Sequence, residues 1–316
     1  MKRRKTNCGR ALLRPISTIR LAFACLAVAS PVLAASPAQK YQPSALWEWD
    51  ESVITDSQAQ ATFFAFAASH GVNRVYIECE SAIQSNQTAL TGFLEAASKQ
   101  GLQTELLFGD NKWVFKGHGY PHQGYAISLT SKFAAQLLGK MTYGKPVAVH
   151  YDVEPASLPQ WKIEQNKVAN DYIDLVTRLE RAAHTIGLTL SVDVDYWYGK
   201  VEVTRHGAIT PMNQLVLDVV DRYVIMDYWD TTARIESQTT TDLTFANGIP
   251  GKEVVIGVLT NCDEKPPDTS FCNKSRHSGT KYMESVLGKV TAAESTNVSY
   301  SGLAIEDYAG FQQLGP

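Results

Sequence analysis

Val147-Ala148-Val149-His150-Tyr151-Asp152-Val153-Glu154 is an apolar, β-branched run that turns acidic as it ends, and an amphipathic stretch, Asn166–Thr185, follows it. Ile186-Gly187 closes that stretch, because a glycine there can stop a helix and turn the chain. A second run of the same character then begins: Thr189-Leu190-Ser191-Val192-Asp193-Val194-Asp195-Tyr196. Working outward in both directions, the cycle repeats. Further runs fall at Ala45–Asp50, Arg74–Glu80, Gln103–Asp110, Arg222–Trp229, Glu253–Asn261 and Gly302–Asp307. Between them lie helical patterns at Ser57–Ser69, Ala89–Lys99, Ser131–Met141, Met212–Val220, Thr232–Ala246 and Gly279–Ala293, with glycine stops also at His70-Gly71 and Gln100-Gly101. Strict strand–helix alternation makes a parallel sheet, and eight units close it into an α/β (β/α)8 TIM barrel. An open doubly wound sheet is the competing arrangement, but no glycine-rich loop follows the first run.

Residues 1–34 read as a signal peptide outside the fold. Met1 to Arg20 holds seven Lys/Arg and no acid, Leu21 to Leu33 is a short apolar run, and Val32-Leu33-Ala34 suits a signal peptidase. The run falls short of the ~20 apolar residues that span a bilayer. A secreted or periplasmic protein follows, with residues 35–316 as one barrel domain and no membrane contact after cleavage. The full chain has 29 basic and 32 acidic residues. Without the leader's seven bases, 22 face 32, a formal charge of −10. Nucleic acid and anionic membranes need a cationic footprint, so both are excluded as partners. In an oxidising compartment Cys262 and Cys272, flanking a short Pro-containing segment, are expected to be bridged, while Cys79 lies in a strand as a buried thiol. No CxxC or HExxH occurs, so no metal site and no cofactor are expected. Nothing marks an oligomer, and a monomer is expected.

In such barrels chemistry sits at the C-terminal ends of the strands. Here nearly every strand ends in acids or aromatics: Trp49, Glu78 and Glu80, Asp110, Asp152 and Glu154, Asp193 to Trp197, Asp227 to Trp229, and Glu306 with Asp307. Period-two alternation turns Tyr76, Glu78 and Glu80 inward against Val75 and Ile77, places Asp152 and Glu154 on one face with His150, and sets Asp193 and Asp195 opposite Val192 and Val194. One such acid is a cap or a solvated loop start. Burying many together costs several kcal/mol unless they are paired or protonated, so a functional rim explains them better. Asp152 and Glu154, two strand residues and roughly 6–7 Å apart, can split their pKa values as a proton donor and a stabilising anion must. The rim aromatics Trp49, Tyr196, Trp197 and Trp229 add flat surfaces for sugar rings.

The run Val149-His150-Tyr151-Asp152-Val153-Glu154 resembles the end of the fourth-strand signature of family 18 glycoside hydrolases, the chitinases and their relatives, and Met226-Asp227-Tyr228 resembles their Met-x-Tyr. The resemblance implies Glu154 as general acid, Asp152 as the residue that orients the substrate, and Tyr228 as its helper. It departs from the pattern at His150 and Val147, where the family has acids, and at strand eight, which reads Ala304-Ile305-Glu306-Asp307-Tyr308 without the family's Trp. Val153-Glu154-Pro155 is similar to the Asn-Glu-Pro of the retaining barrel glycosidases, lacking the Asn, and gives Glu154 the same role.

The expectation is a glycoside hydrolase of an oligo- or polysaccharide, with catalytic Asp152, Glu154 and Tyr228. Trp49, Glu78, Glu80, Asp110, Asp193, Asp195, Tyr196, Trp197, Asp227, Trp229, Glu306 and Asp307 are its candidate substrate-binding residues. So acidic a rim suits an amino-sugar polymer. A non-catalytic carbohydrate-binding barrel and a divalent-metal-dependent hydrolase built on the same carboxylates remain as alternatives.

Overall fold

The computed structural model describes residues 45–262, 269–272 and 279–315. The expected signal peptide lies outside the described residues. Eight parallel strands carry the fold: β1 (Ala45–Glu48), β2 (Arg74–Glu78), β3 (Gln103–Phe108), β4 (Ala148–Tyr151), β5 (Thr189–Asp195), β6 (Arg222–Met226), β7 (Glu253–Leu259) and β8 (Tyr300–Glu306). Each pairs with its neighbours in sequence, and β8 returns to β1, with Ala45 opposite Ala304, so the sheet is a closed barrel. This is the (β/α)8 architecture that the alternation predicts.

Period two explains the layers. On β5, Leu190, Val192 and Val194 face the surrounding helices, while Ser191 and Asp193 point into the barrel. Inside, Trp47, Tyr76, Leu107, Val224, Val255 and Ala304 form a compact apolar plug. A Cβ on Gly257 would stand 2.9 Å from the Trp47 ring, so glycine on β7 is what lets that indole lie across the barrel. Below the plug, Glu105 and Glu253 meet Arg74 and Arg222: Arg74 Nη1 lies 3.1 Å from Glu105, and Arg222 bonds both acids.

The helices keep close to their expected spans. Asp56 caps Ser57–His70 by accepting from Gln58 and Ala59 (2.7 and 2.9 Å), and Gly71, Gly101 and Gly187 all turn the chain at positive φ. The strands end earlier than expected, for a local reason. Glu48 accepts from the amide of Asp50, Glu78 from that of Glu80, and Asp110 from that of Lys112 (2.8, 3.0 and 2.8 Å). Each carboxylate thus offers its backbone an alternative to the ladder, and the chain bends away. Glu80 therefore opens a short helix, Glu80–Ser85. The hairpin Glu202–Arg205/Ala208–Pro211 after β5, turned by His206-Gly207 with both φ positive, is not evident in the hydrophobic pattern. Cys262 and Cys272 are bridged, and Cys79 is a buried free thiol. No helix among the described residues is long and apolar enough to cross a membrane.

Candidate active site

Above the apolar plug, β4, β5 and β8 deliver carboxyl groups to one mouth. β4 stops at Tyr151, and Asp152 makes one more ladder bond, its amide donating to Phe108 O (2.9 Å). The amide of Glu154 donates to Asn111 Oδ1 (2.6 Å), and Pro155 then starts a 3-10 turn whose Ser157 hydroxyl reaches Glu154 Oε2 (3.3 Å). Backbone and side chain of Glu154 are therefore both held. On β8, Glu306 accepts from the Tyr228 hydroxyl, which rises from the end of β6.

These groups lie near enough to shape one another's acidity. Burial, then the charges of Asp193 and Glu154, lifts Asp152 well above the usual carboxylate range, opposed by His150. Burial raises Glu154, the Ser157 bond lowers it, and Asp193 raises it again, for a net rise. Asp195 is pushed to about 7 by burial and Glu154. Glu306 is lifted well above its ordinary value by burial and then by Asp152, Asp193, Asp307 and Glu154. Asp152 Oδ1 is buried and has no protein partner. Carboxyls whose pKa values are raised by burial and by one another's charge, in a cleft, are what proton donation to a leaving oxygen calls for.

A second acidic group lies beside it at the β1–β2 end. Glu78 is raised to about 8 by burial and by sharing a hydrogen bond with Glu51. Glu80 accepts from Tyr125 (2.6 Å), and Asp110 accepts from Tyr120 (2.9 Å). Aromatic walls flank the mouth. Trp49 is half-buried against the apolar plug, Tyr196 meets Trp229 edge-on at 5.9 Å, and Trp197 meets Trp161 at 6.0 Å. The Arg234 guanidinium covers the Trp229 ring at 4.3 Å.

Three acids from the expected set sit elsewhere. Asp193 is 1% exposed, beneath the floor, with its oxygens turned to Trp47 Nε1 (3.1 Å) and His150 Nε2 (2.9 Å). Asp227 is fully enclosed and raised to about 8 by burial and by Asp242, which lies on the helix Thr232–Ala246. Asp307 caps the helix Tyr308–Gln313 through the amide of Gly310 (2.6 Å). Conversely, Glu48 faces outward on β1 yet is buried and raised to about 7, chiefly by burial. Glu51 belongs beside Glu78. Neither was separable in the sequence from ordinary strand-end and helix-start acids. Among the described residues no group of three or more His, Cys, Asp or Glu side chains is arranged to hold a metal ion.

No protein-family model matches this sequence, and no curated protein does either. Solved structures do match in fold. A GH39 beta-xylosidase from Caulobacter crescentus aligns with a TM-score of 0.55 at 12% identity, over 85% of this chain and 64% of its own. This chain therefore covers less than two thirds of that enzyme's length. A D-psicose 3-epimerase aligns at 0.50 and 9% identity, over 84% of both chains. A chitinase from Chromobacterium violaceum aligns at only 0.40, with 15% identity over 69% of this chain and 68% of its own. In architecture the molecule is thus a (β/α)8 TIM barrel. Because this fold serves several sugar chemistries, its activity has to be argued from the mouth itself.

Proposed function

We propose that this protein is a secreted glycoside hydrolase of a polysaccharide, with Glu154 as the general acid. The observation that carries the reading is the mouth: Asp152, Glu154, Asp195 and Glu306 converge at the C-terminal ends of β4, β5 and β8, and burial together with neighbouring acids, Asp193 beneath the floor among them, raises the pKa of each. Glycoside hydrolysis asks for that pairing, an acid kept protonated beside a second carboxyl that meets the oxocarbenium-like centre. Glu154 is the donor because it is partly open to the cleft and fixed from both sides. Asp152 beside it orients the reacting sugar or stabilises its charge. Tyr228, bonded to Glu306, contacts the same sugar, and Trp49, Trp197 and Trp229 supply the platforms. An amino-sugar polymer is the preferred substrate class, since cationic sugars would relieve the crowding of acids. The leader in residues 1–34 and the Cys262–Cys272 bridge support export.

The test is release of reducing sugar from purified polysaccharides, amino-sugar polymers included, by wild type and Glu154→Gln side by side. Release by wild type alone establishes the hydrolase and its acid. Sugar binding without release by either protein makes it a binding barrel. Activity lost to a chelator and restored by Mg2+ selects metal-dependent hydrolysis.

A further inference from the structure

His150 points inward from β4, one alternation below Asp152, and is completely buried. Its Nδ1 lies 3.0 Å from Glu105 Oε2 on β3, and its Nε2 lies 2.9 Å from Asp193 Oδ1 on β5. A neutral imidazole carries one N–H and one lone pair. With Nδ1–H bonded to Glu105, a neutral ring would leave its Nε2 lone pair 2.9 Å from Asp193 Oδ1, whereas the doubly protonated ring turns that contact, which is not aligned as a hydrogen bond, into an ion pair. Charge balance points the same way. Beneath the mouth, Arg74 and Arg222 serve Glu105 and Glu253, leaving Asp193 with His150 as its cationic neighbour. With His150 charged, three cations match three carboxylates. With it neutral, buried Asp193 is left without a cation, at a cost of several kcal/mol for an unpaired buried ion.

We infer that His150 is a permanent imidazolium clamped between Glu105 and Asp193, and that it is a positioning residue: it holds Asp193 as a fixed anion under the floor of the mouth, and that anion keeps the acids above it protonated. Other groups around the pair agree with this. Trp47 on β1 donates to the second oxygen of Asp193, the Tyr76 ring on β2 lies 4.2 Å from the imidazole, and Ser191 on β5 is the strand partner of His150. Asp152, Glu154 and Glu306 lie above, each with its acidity lowered by the Asp193 charge. Burial pulls His150 down, but Asp193 and Glu105 bring it up to about 10. The consequence for catalysis rests on the hydrolase reading, whereas the protonation state of His150 does not.

Two measurements separate these. In 15N-labelled wild-type protein, one-bond and two-bond 1H–15N spectra from pH 5 to 9 should show one imidazole doubly protonated throughout. Finding every histidine singly protonated at pH 8 overturns the inference. On a polysaccharide that the wild type cleaves, Asp193→Asn should move the basic limb of the kcat/KM profile down by about one pH unit, because the general acid loses the anion that raises it. A uniform fall in kcat with the limb unmoved makes Asp193 merely structural and also overturns it. If the wild type cleaves nothing, the hydrolase reading fails alone, and the imidazole spectra still decide the state of His150, as they do if Asp193→Asn does not fold.

Discussion

At the lower end of the barrel Glu105 and Glu253 sit against Arg74 and Arg222, while at the upper end Asp152, Glu154, Asp195 and Glu306 face one another, and among the described residues no Lys or Arg forms an ion pair with any of them. The lower group hangs from β2, β3, β6 and β7 and the upper from the ends of β4, β5 and β8, and each holds buried acids, so burial alone does not distinguish them. Balance does. A buried ion costs several kcal/mol unless it is paired, and the lower end pays that back within the fold. The upper end leaves it standing as raised pKa values, which folding alone has no reason to keep. Reading a barrel for function thus means asking which buried acids lack a cation.

The comparison predicts opposite responses to substitution. Glu154→Gln should lower turnover of a cleaved polysaccharide by about 10²–10⁴-fold, the range that a general acid contributes, with the urea midpoint unchanged or raised. A variant that keeps its activity removes Glu154 from the mechanism. Arg222→Met should do the reverse. It leaves Arg74 alone to serve buried Glu105 and half-exposed Glu253, and urea unfolding should show a loss of about 1–3 kcal/mol with no shift in the pH–rate profile. If unfolding moves by less than about 1 kcal/mol, the lower network is not the balanced structural element described here.

pH sharpens the contrast without mutation. A carboxyl whose folded pKa lies above its unfolded value stabilises the protein fully below the unfolded pKa, and that stability is lost as pH rises through the folded pKa. Asp195 at about 7 and Glu78 at about 8 place the loss between pH 4 and about 8. His150, held up to about 10, changes in the same direction but later. Tm should therefore be highest near pH 4–5 and fall steadily to pH 8. A Tm that rises over this interval would mean that the upper acids are ionised and paired after all.

Much of this could be read from sequence. Alternation marks all eight strands, because each outer face must be apolar to meet helices, and the glycine stops at Gly71, Gly101 and Gly187 punctuate them. The same period turns Asp193 inward correctly. What it does not carry is height along the barrel axis, so Asp193 reads as a rim residue although it lies one level below. Beyond the last ladder residue the period lapses altogether. Asp227, Asp307 and Asp110 follow strands in the same way as Glu154 does, yet one is enclosed behind β6 and two cap the turns that follow. Nor does the sequence pair Arg74 and Arg222 with Glu105 and Glu253, since those partners come from different strands around the barrel.

Asp227 gives the finest test, because it copies the chemistry of the mouth without sharing its position. It is as acidic by composition as Asp152, is raised to about 8, and has no protein partner on either carboxylate oxygen. It is also 0% exposed, and the charge it feels is that of Asp242 on the helix side rather than any acid of the mouth. A raised pKa alone would nominate it as catalytic, whereas position makes it a buried structural acid. Asp227→Asn should therefore leave kcat/KM within ~2-fold of wild type. Removing a group whose ionisation opposes folding should also flatten the decline of Tm above pH 7. A large loss of activity would show that the mouth extends behind β6, and that a raised pKa, more than position, marks the functional carboxyls of this barrel.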